Sequence, residues 1–233
     1  MLDRLQLGDW WGEPGEMIVV PLGREATIDD LAISDLKTEI VGGKLVVIGP
    51  SGDGAGGASG AISFSLGLYQ RQHGGGRAFG SRVAYVVDLP GCGALCPDAS
   101  WYVGPRWSYH PQDAPVFAAE VRDAIDVGPA ADEQMSAKRA DYFAAGTKVV
   151  WDVDVLGGED VVRVYRRTIP SIPPSTAVAR WRRPSRRCRG GGCRWTSCSS
   201  DRSLLIRSLR ARTRRLDRDL AEIPHRSWRG LRA

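Results

Sequence analysis

The sequence lacks the features of a membrane or secreted protein. No apolar run approaches the roughly 20 residues that a membrane-spanning helix requires, and no basic segment followed by an apolar one marks a secretory signal at the N-terminus. Cysteine is scarce, with five in 233 residues, and an odd, unevenly spaced set argues against a disulfide framework. These absences predict a cytoplasmic protein with no membrane partner.

Acidic residues are scarce at one end of the chain only. Of the 32 Lys+Arg and 27 Asp+Glu, 15 and 23 lie in residues 1–167, and the remaining 17 and 4 lie in residues 168–233. The first part therefore carries a net charge of −8 and the second of +13, so the overall +5 and the pI of about 9.1 reflect the tail. Together with the local patterning, this division predicts a poorly defined leader at 1–24, a domain at 25–167 and a largely disordered basic tail at 168–233.

Apolar periodicity predicts a strand-rich order with a few helices. Residues 37–41 and 44–48 flank Gly42-Gly43 and predict a hairpin that carries Glu39. Residues 49–60 predict a flexible loop, because the Gly-Lys-Ser/Thr ending of a phosphate loop is absent. Such an order suits an α/β sandwich with a site at one sheet edge. The other predicted strands are 82–87, 99–103, 115–121, 149–155 and 160–165, and the predicted helices are 27–36, 61–73 and 129–145.

Two acidic residues in the middle of the chain are candidates for metal binding. Asp98 follows a Cys-Pro pair, and Glu120 stands at the end of an apolar run. Mg²⁺ prefers carboxylate oxygens, and two such side chains leave coordination positions for water and phosphate. A nearby cation would stabilise the charge that develops on the phosphate, and either Lys138 or Arg122 could supply it.

Each of these residues also has an ordinary structural explanation. Pro-Asp is a common turn, which would account for Asp98. Lys138 could form a surface pair with Asp141, three residues later on the same predicted helix. Glu120 is harder to explain in this way, because a carboxylate on a buried strand needs a partner.

Six segments follow one another in a fixed order along the chain: 39–47, 96–98, 117–121, 138–146, 149–154 and 161–165. Together they resemble the Uma-type family of restriction-endonuclease-like bacterial proteins. The resemblance implies the PD-(D/E)XK nuclease fold, an α/β mixed sheet flanked by helices. It also implies hydrolysis of DNA phosphodiester bonds with Mg²⁺ or Mn²⁺ and DNA as the partner. A homodimer is one possible assembly.

The same resemblance assigns roles to individual residues. It implies that Asp98 and Glu120 are the metal ligands and that Glu39 is a further acid of the site. The family usually lacks a lysine two residues after the glutamate and has one on the following helix, which points to Lys138. Arg122 occupies the earlier place in this chain and is the alternative to Lys138.

One departure from the family pattern concerns a histidine. Members commonly carry it at the start of the first long helix, and the corresponding residues 56–60 contain none. His73 lies too far along the chain to replace it. A competing hypothesis is therefore an inactive, degenerate nuclease-fold protein that at most binds nucleic acid through charge.

The tail predicts a frameshift in the coding sequence. When residues 174–201 are converted to GC-rich codons and read from the third base, they give an acidic-to-apolar peptide and then a stop, which resembles the ending of the family. Most first bases in that translation are chosen, but Trp195 followed by Thr196 forces an aspartate codon. The alternatives are a basic nucleic-acid-binding arm and a zinc module, for which Cys188, Cys193 and Cys198 lack a fourth ligand at suitable spacing.

Overall fold

The computed structural model describes residues 16–33, 36–157, 159–167 and 177–182. These residues form two α-helices, α1 (Asp53–His73) and α2 (Pro129–Ala144), and a 3-10 helix at Ile28–Ile33. The strands are β1 Met17–Val20, β2 Lys37–Val41, β3 Lys44–Ile48, β4 Arg77–Gly80, β5 Tyr85–Leu89, β6 Cys92–Leu95, β7 Ala99–Tyr102, β8 Phe117–Val121, β9 Val149–Asp154, β10 Glu159–Arg166 and β11 Ala177–Arg182.

The strands form two sheets. One has the order β1-β3-β2-β6-β5, and the other β11-β10-β9-β8-β7-β4. In the described ladders β8 and β9 run parallel and the other neighbours antiparallel, so the larger sheet is mixed. The predicted α/β class with a mixed sheet and flanking helices is confirmed.

Each face of the larger sheet packs against different partners. Leu66 and Tyr69 of α1 pack on one face, in a cluster with Phe117 and Trp151. On the other face Tyr142 of α2 is fully buried, in a cluster that includes residues of both sheets. The smaller sheet and α2 therefore cover the same face, and the carboxyl end of β8 lies between them.

The predicted hairpin is present with the expected residues. β2 and β3 pair antiparallel from Lys37 opposite Ile48 to Val41 opposite Lys44. Gly42 and Gly43 both have positive φ, 60° and 67°, as a two-residue turn of this kind requires. The strand at 17–20 was not predicted: β1 pairs with β3, so the end of the segment expected to be a poorly defined leader is part of the smaller sheet.

The prediction for residues 49–60 was largely wrong, because α1 begins at Asp53 instead of residue 61. Glycine disfavours helix in isolation, but this segment packs against the sheet. Ala55 is buried in the α1 cluster, and Ser59 Oγ donates a hydrogen bond to the Asp98 carbonyl oxygen at 2.9 Å. Tertiary contacts therefore override the local preference.

The region after Arg167, expected to be irregular, contains one strand. β11 pairs antiparallel with β10 over six residues. An uncovered β10 would leave a row of backbone N–H and C=O groups without partners, and β11 satisfies them. The other parts of the predicted tail lie outside the described residues. Within the described part of the chain, neither helix combines the length and apolarity needed to cross a membrane.

Candidate functional site

Five charged side chains meet in one open cleft between the smaller sheet, the carboxyl end of β8 and α2. The cleft has a volume of about 470 Å³. Its charged centre consists of Lys37, Glu39, Asp98, Glu120 and Lys138, and aliphatic side chains of β1 and β3 form one wall. The four residues predicted for catalysis, Glu39, Asp98, Glu120 and Lys138, thus lie together, with a second lysine that was not predicted.

Strand geometry explains how this cleft is built. Alternate residues of a strand point to opposite faces, so Lys37 and Glu39 of β2 share the cleft side, while Ile40 packs in the core of the smaller sheet. Asp98 directly precedes β7, which runs antiparallel to β8. The Asp98 N–H donates to the Ala119 carbonyl at 2.9 Å, which places Asp98 at the end of β8, near Glu120.

Both carboxylate oxygens of Asp98 accept a hydrogen bond. The Lys37 ammonium lies 2.8 Å from Oδ1, and the Val121 N–H donates to Oδ2 at 2.8 Å. Burial by itself would raise the pKa of Asp98, but the Lys37 charge opposes this, and the pKa falls below its ordinary value. Asp98 is therefore an ionised carboxylate at neutral pH.

Glu120 lies in a similar but drier environment. The Tyr142 hydroxyl donates to its Oε1 at 2.6 Å, and the Lys138 ammonium lies 2.9 Å from Oε2. Burial raises the pKa of Glu120 above its ordinary value, and the charges of Lys138 and Lys37 offset that only in part. The Glu120 carboxylate, which needs a partner because it lies on a buried strand, therefore has two, Tyr142 and Lys138.

Lys138 joins two acids from different elements. Its ammonium lies 2.9 Å from Glu39 Oε1 and 2.9 Å from Glu120 Oε2. Burial lowers the pKa of Lys138, but these two carboxylates more than compensate, and the pKa is raised. The same Glu39 oxygen accepts the Cys96 N–H at 2.8 Å. Lys138 is thus a largely buried cation, with its side chain 19% exposed, and its predicted surface pair with Asp141 is not among its contacts in the described residues.

Arg122, the alternative to Lys138, is held in a separate network. It donates two hydrogen bonds to Asp152, from Nε at 2.8 Å and Nη2 at 2.9 Å, and one to Asp132 at 2.6 Å. The hydrogen bonds to Asp152 raise the pKa of Arg122. Arg122 does not line the cleft that the other four predicted residues share, so the structure does not bring it together with them.

Sequence reasoning missed Lys37 and Tyr142. The Lys37 ammonium is the contact of Asp98 described above, and Tyr142 is fully buried against Glu120. A signal for Lys37 existed, because it lies two residues before Glu39 on a predicted strand and must share its face. No comparable signal pointed to Tyr142, whose role depends on how α2 docks.

The histidine position of the family pattern falls next to the site. Residues 56–60 form part of α1, and Ser59 contacts the backbone of Asp98. His73 is the last residue of the same helix, about 20 Å from Ser59 at 1.5 Å per helical residue. Its ring stacks on Tyr69, so His73 has no part in this cleft.

The chemistry of the donors fits a hard divalent cation. Asp98 and Glu120 offer carboxylate oxygens at one cleft, and Mg²⁺ is commonly held by one or two carboxylates together with water and phosphate oxygens. Among the described residues, no group of three or more His, Cys, Asp or Glu side chains is placed to hold a metal ion. Asp98 and Glu120 are the pair of carboxylates that would hold such a cation in this cleft.

Comparisons with known proteins agree with the architecture. A family model described as "Uma2: Putative restriction endonuclease" matches residues 27–185. Among solved structures, the chain is similar to a "putative nuclease belonging to DUF820" from Anabaena variabilis ATCC 29413, with 16% sequence identity, a TM-score of 0.51, and coverage of 65% of this chain and 83% of that chain. At this level of sequence identity, the structural similarity shows that the two chains share a fold. A search of curated proteins found no match.

Proposed function

Because the chain belongs to the Uma2 family of putative restriction endonucleases, we propose that it is a nuclease that hydrolyses DNA phosphodiester bonds with a divalent cation. One observation carries the proposal. Asp98 and Glu120 line a common open cleft, and the Lys138 ammonium lies 2.9 Å from a Glu120 oxygen in that same cleft. Metal-assisted phosphoryl chemistry requires oxygen ligands for the metal ion, and a positively charged side chain beside them can stabilise the phosphate.

Each residue of the site has a distinct role in this mechanism. Asp98 and Glu120 would hold the cation, Mg²⁺ or Mn²⁺, which when bound would lower the pKa of water and neutralise charge on the phosphate. Lys138 stabilises negative charge on the reacting phosphate, an interaction that is strong in a partly dehydrated cleft. Glu39 orients the Lys138 ammonium, and Tyr142 fixes the Glu120 carboxylate through its hydroxyl.

The separate network of Arg122 favours Lys138 as the cation of the site. Asp152 is almost fully buried, and its ion pair with Arg122 gives the guanidinium a structural role. We expect Arg122→Met to lower the free energy of unfolding by about 3–5 kcal/mol, because the buried Asp152 carboxylate loses both hydrogen bonds from Arg122 and keeps, among the described residues, only a 3.9 Å ion pair with Arg163. Lys138→Arg, which keeps the charge, should retain more activity than Lys138→Met.

A nicking assay on supercoiled DNA tests the proposal. The full chain, Asp98→Asn and Glu120→Gln are compared in Mg²⁺ and in Mn²⁺, and in EDTA as the metal-free control. Each substitution should lower the rate by about 100-fold or more, since loss of one such charge-stabilising group commonly has that effect. Glu133→Gln makes the same chemical change at an exposed residue of α2 outside the cleft and should leave the rate unchanged.

Two results would contradict the proposal. Equal cleavage by all four proteins would mean that these carboxylates do not act in catalysis. Absence of metal-dependent cleavage in the folded wild-type protein on every DNA tested would favour the degenerate, non-catalytic alternative.

A further inference from the structure

Lys37 is positioned to compete with a cation at Asp98. It lies on β2, its side chain and that of Asp98 are each 12% exposed, and the two are joined by an ion pair of 2.8 Å. The ammonium approaches Oδ1, while Oδ2 is already occupied by the Val121 N–H. Asp98 Oδ1 therefore already has a positive charge of the protein beside it.

The two lysines of the cleft are held differently. Lys138 bridges Glu39 and Glu120 from α2, so its ammonium is fixed by acids of two strands. Lys37 contacts Asp98 from a strand of the smaller sheet. A lysine side chain is a flexible stem with a compact charge, so the Lys37 ammonium can move relative to β2.

We propose that Lys37 is a positioning residue, the internal counter-ion of Asp98, and that its displacement by a divalent cation sets the affinity of the site for Mg²⁺ or Mn²⁺. The inference rests on the proposed function, because it takes Asp98 as a ligand of the cation. The three acidic and two lysine side chains of the cluster have a formal net charge of −1, and the lysines limit repulsion among the acids. Removal of Lys37 makes that charge −2 and frees Oδ1.

Calorimetric titration of the full chain with Mn²⁺, in the absence of DNA, tests this role. Lys37→Met should lower the dissociation constant by about tenfold or more, because the metal no longer displaces a cation in direct contact with its ligand. Lys37→Arg, which keeps the positive charge, should bind Mn²⁺ about as weakly as the wild type. Lys44→Met is the matched control, since it removes one positive charge from an exposed residue that lines the same cleft.

A double-mutant cycle that combines Lys37→Met with Asp98→Asn tests whether Lys37 affects metal binding through Asp98. In an Asp98→Asn background, Lys37→Met should no longer tighten Mn²⁺ binding, because the carboxylate for which Lys37 and Mn²⁺ compete is gone. Unchanged or weaker binding by Lys37→Met in the otherwise wild-type protein would overturn the inference while leaving metal dependence intact. Failure of the wild type and of every variant to bind Mn²⁺ would overturn both.

Chemical labelling of the wild-type protein gives an independent result that needs no variant. Reductive methylation followed by mass spectrometry measures how accessible each lysine amine is. Saturating Mn²⁺ should increase labelling of Lys37 several-fold as its ion pair opens, and should leave labelling of Lys44 the same. Equal labelling of Lys37 with and without bound Mn²⁺ would overturn the inference.

Discussion

The Tyr142 hydroxyl determines how Glu120 is held. It donates to Oε1 at 2.6 Å from a fully buried position, and the remaining oxygen faces Lys138. Charge-assisted hydrogen bonds of this kind are short and strong. The burial of Tyr142 and the charge of Glu120 both raise the pKa of the tyrosine, so the hydroxyl remains a donor at neutral pH.

Tyr142→Phe should therefore destabilise the protein without changing the packing of the ring. We expect the free energy of unfolding to fall by about 1–3 kcal/mol, because a buried carboxylate oxygen loses its donor. Urea denaturation measures the difference. Tyr109→Phe makes the same change at a side chain that is 91% exposed and should have no effect. Equal stability of the two variants would show that the hydroxyl is not needed to hold Glu120.

Asp30, near the start of the domain, should make the stability of the protein depend on pH. It accepts two hydrogen bonds from Arg24, each at 2.7 Å, and others from the Thr27 N–H and hydroxyl. The Arg24 guanidinium holds the pKa of Asp30 well below its ordinary value of about 3.8. A carboxyl whose pKa is lowered by folding contributes stability above its unfolded pKa, and loses it as the pH falls towards the folded one.

The free energy of unfolding should accordingly decrease as the pH falls below about 4, and Asp30→Asn should make this decrease smaller. Chemical denaturation between pH 6 and pH 3 measures it, with Asp29→Asn at an exposed neighbour as the control. An unchanged pH dependence in Asp30→Asn would contradict the assignment.

At the scale of elements, α1 combines weak intrinsic helix preference with strong packing. Its first two turns contain several glycines, and Gly57 is exposed, with nothing within 4 Å of the point that a Cβ atom would occupy. The contacts of Ala55 and Ser59 hold this part of the helix to the sheet. The glycines are therefore tolerated by the fold and are not required at every position.

Two glycine substitutions should have opposite effects on stability. Gly57→Ala should raise the free energy of unfolding by about 0.5–1 kcal/mol, because alanine favours helix and restricts the unfolded chain. Gly76→Ala, in the turn before β4, should lower it by about 1–3 kcal/mol through overpacking, because the new methyl would lie 2.5 Å from the Trp101 ring, which is almost fully buried. Thermal melts of the two variants measure this, and the same sign for both would contradict it.

At the scale of the whole molecule, β11 extends the sheet beyond the predicted domain boundary. It completes the edge next to β10, and the family match continues to residue 185. Both observations include the beginning of the segment that we predict to be out of frame. The frameshift itself stays a prediction, and sequencing the gene across the codons for residues 165–175 decides it.

Truncation at two points tests the importance of β11. A chain that ends at residue 185 should remain soluble and unfold cooperatively, whereas one that ends at residue 167 should aggregate, because β10 would then be an exposed edge strand. Size-exclusion chromatography and thermal melts compare the two. Equal solubility and equal melting temperatures would mean that β11 contributes nothing to the sheet.

The sequence named three acids of the cleft, Glu39, Asp98 and Glu120, and left Lys138 and Arg122 as alternatives. By itself it also determined the hairpin of β2 and β3, the helix predicted at 129–145, which ends at residue 144, and the strands next to the site. Local rules suffice there, because a two-glycine turn, apolar periodicity and the alternation of a strand act over a few residues. The resemblance carried by the ordered segments predicted the fold class, which the structure and the family match confirm.

Only the tertiary structure decided the contacts of the site. Whether Lys138 or Arg122 faces the acids depends on how α2 docks, and whether Lys37 reaches Asp98 depends on how the smaller sheet packs against β8. The helical start of α1 was decided in the same way, because its contacts with the sheet outweigh the preference of glycine for other conformations. Each of these outcomes depends on residues distant in sequence, such as the 61 positions between Lys37 and Asp98, whose proximity no local pattern contains.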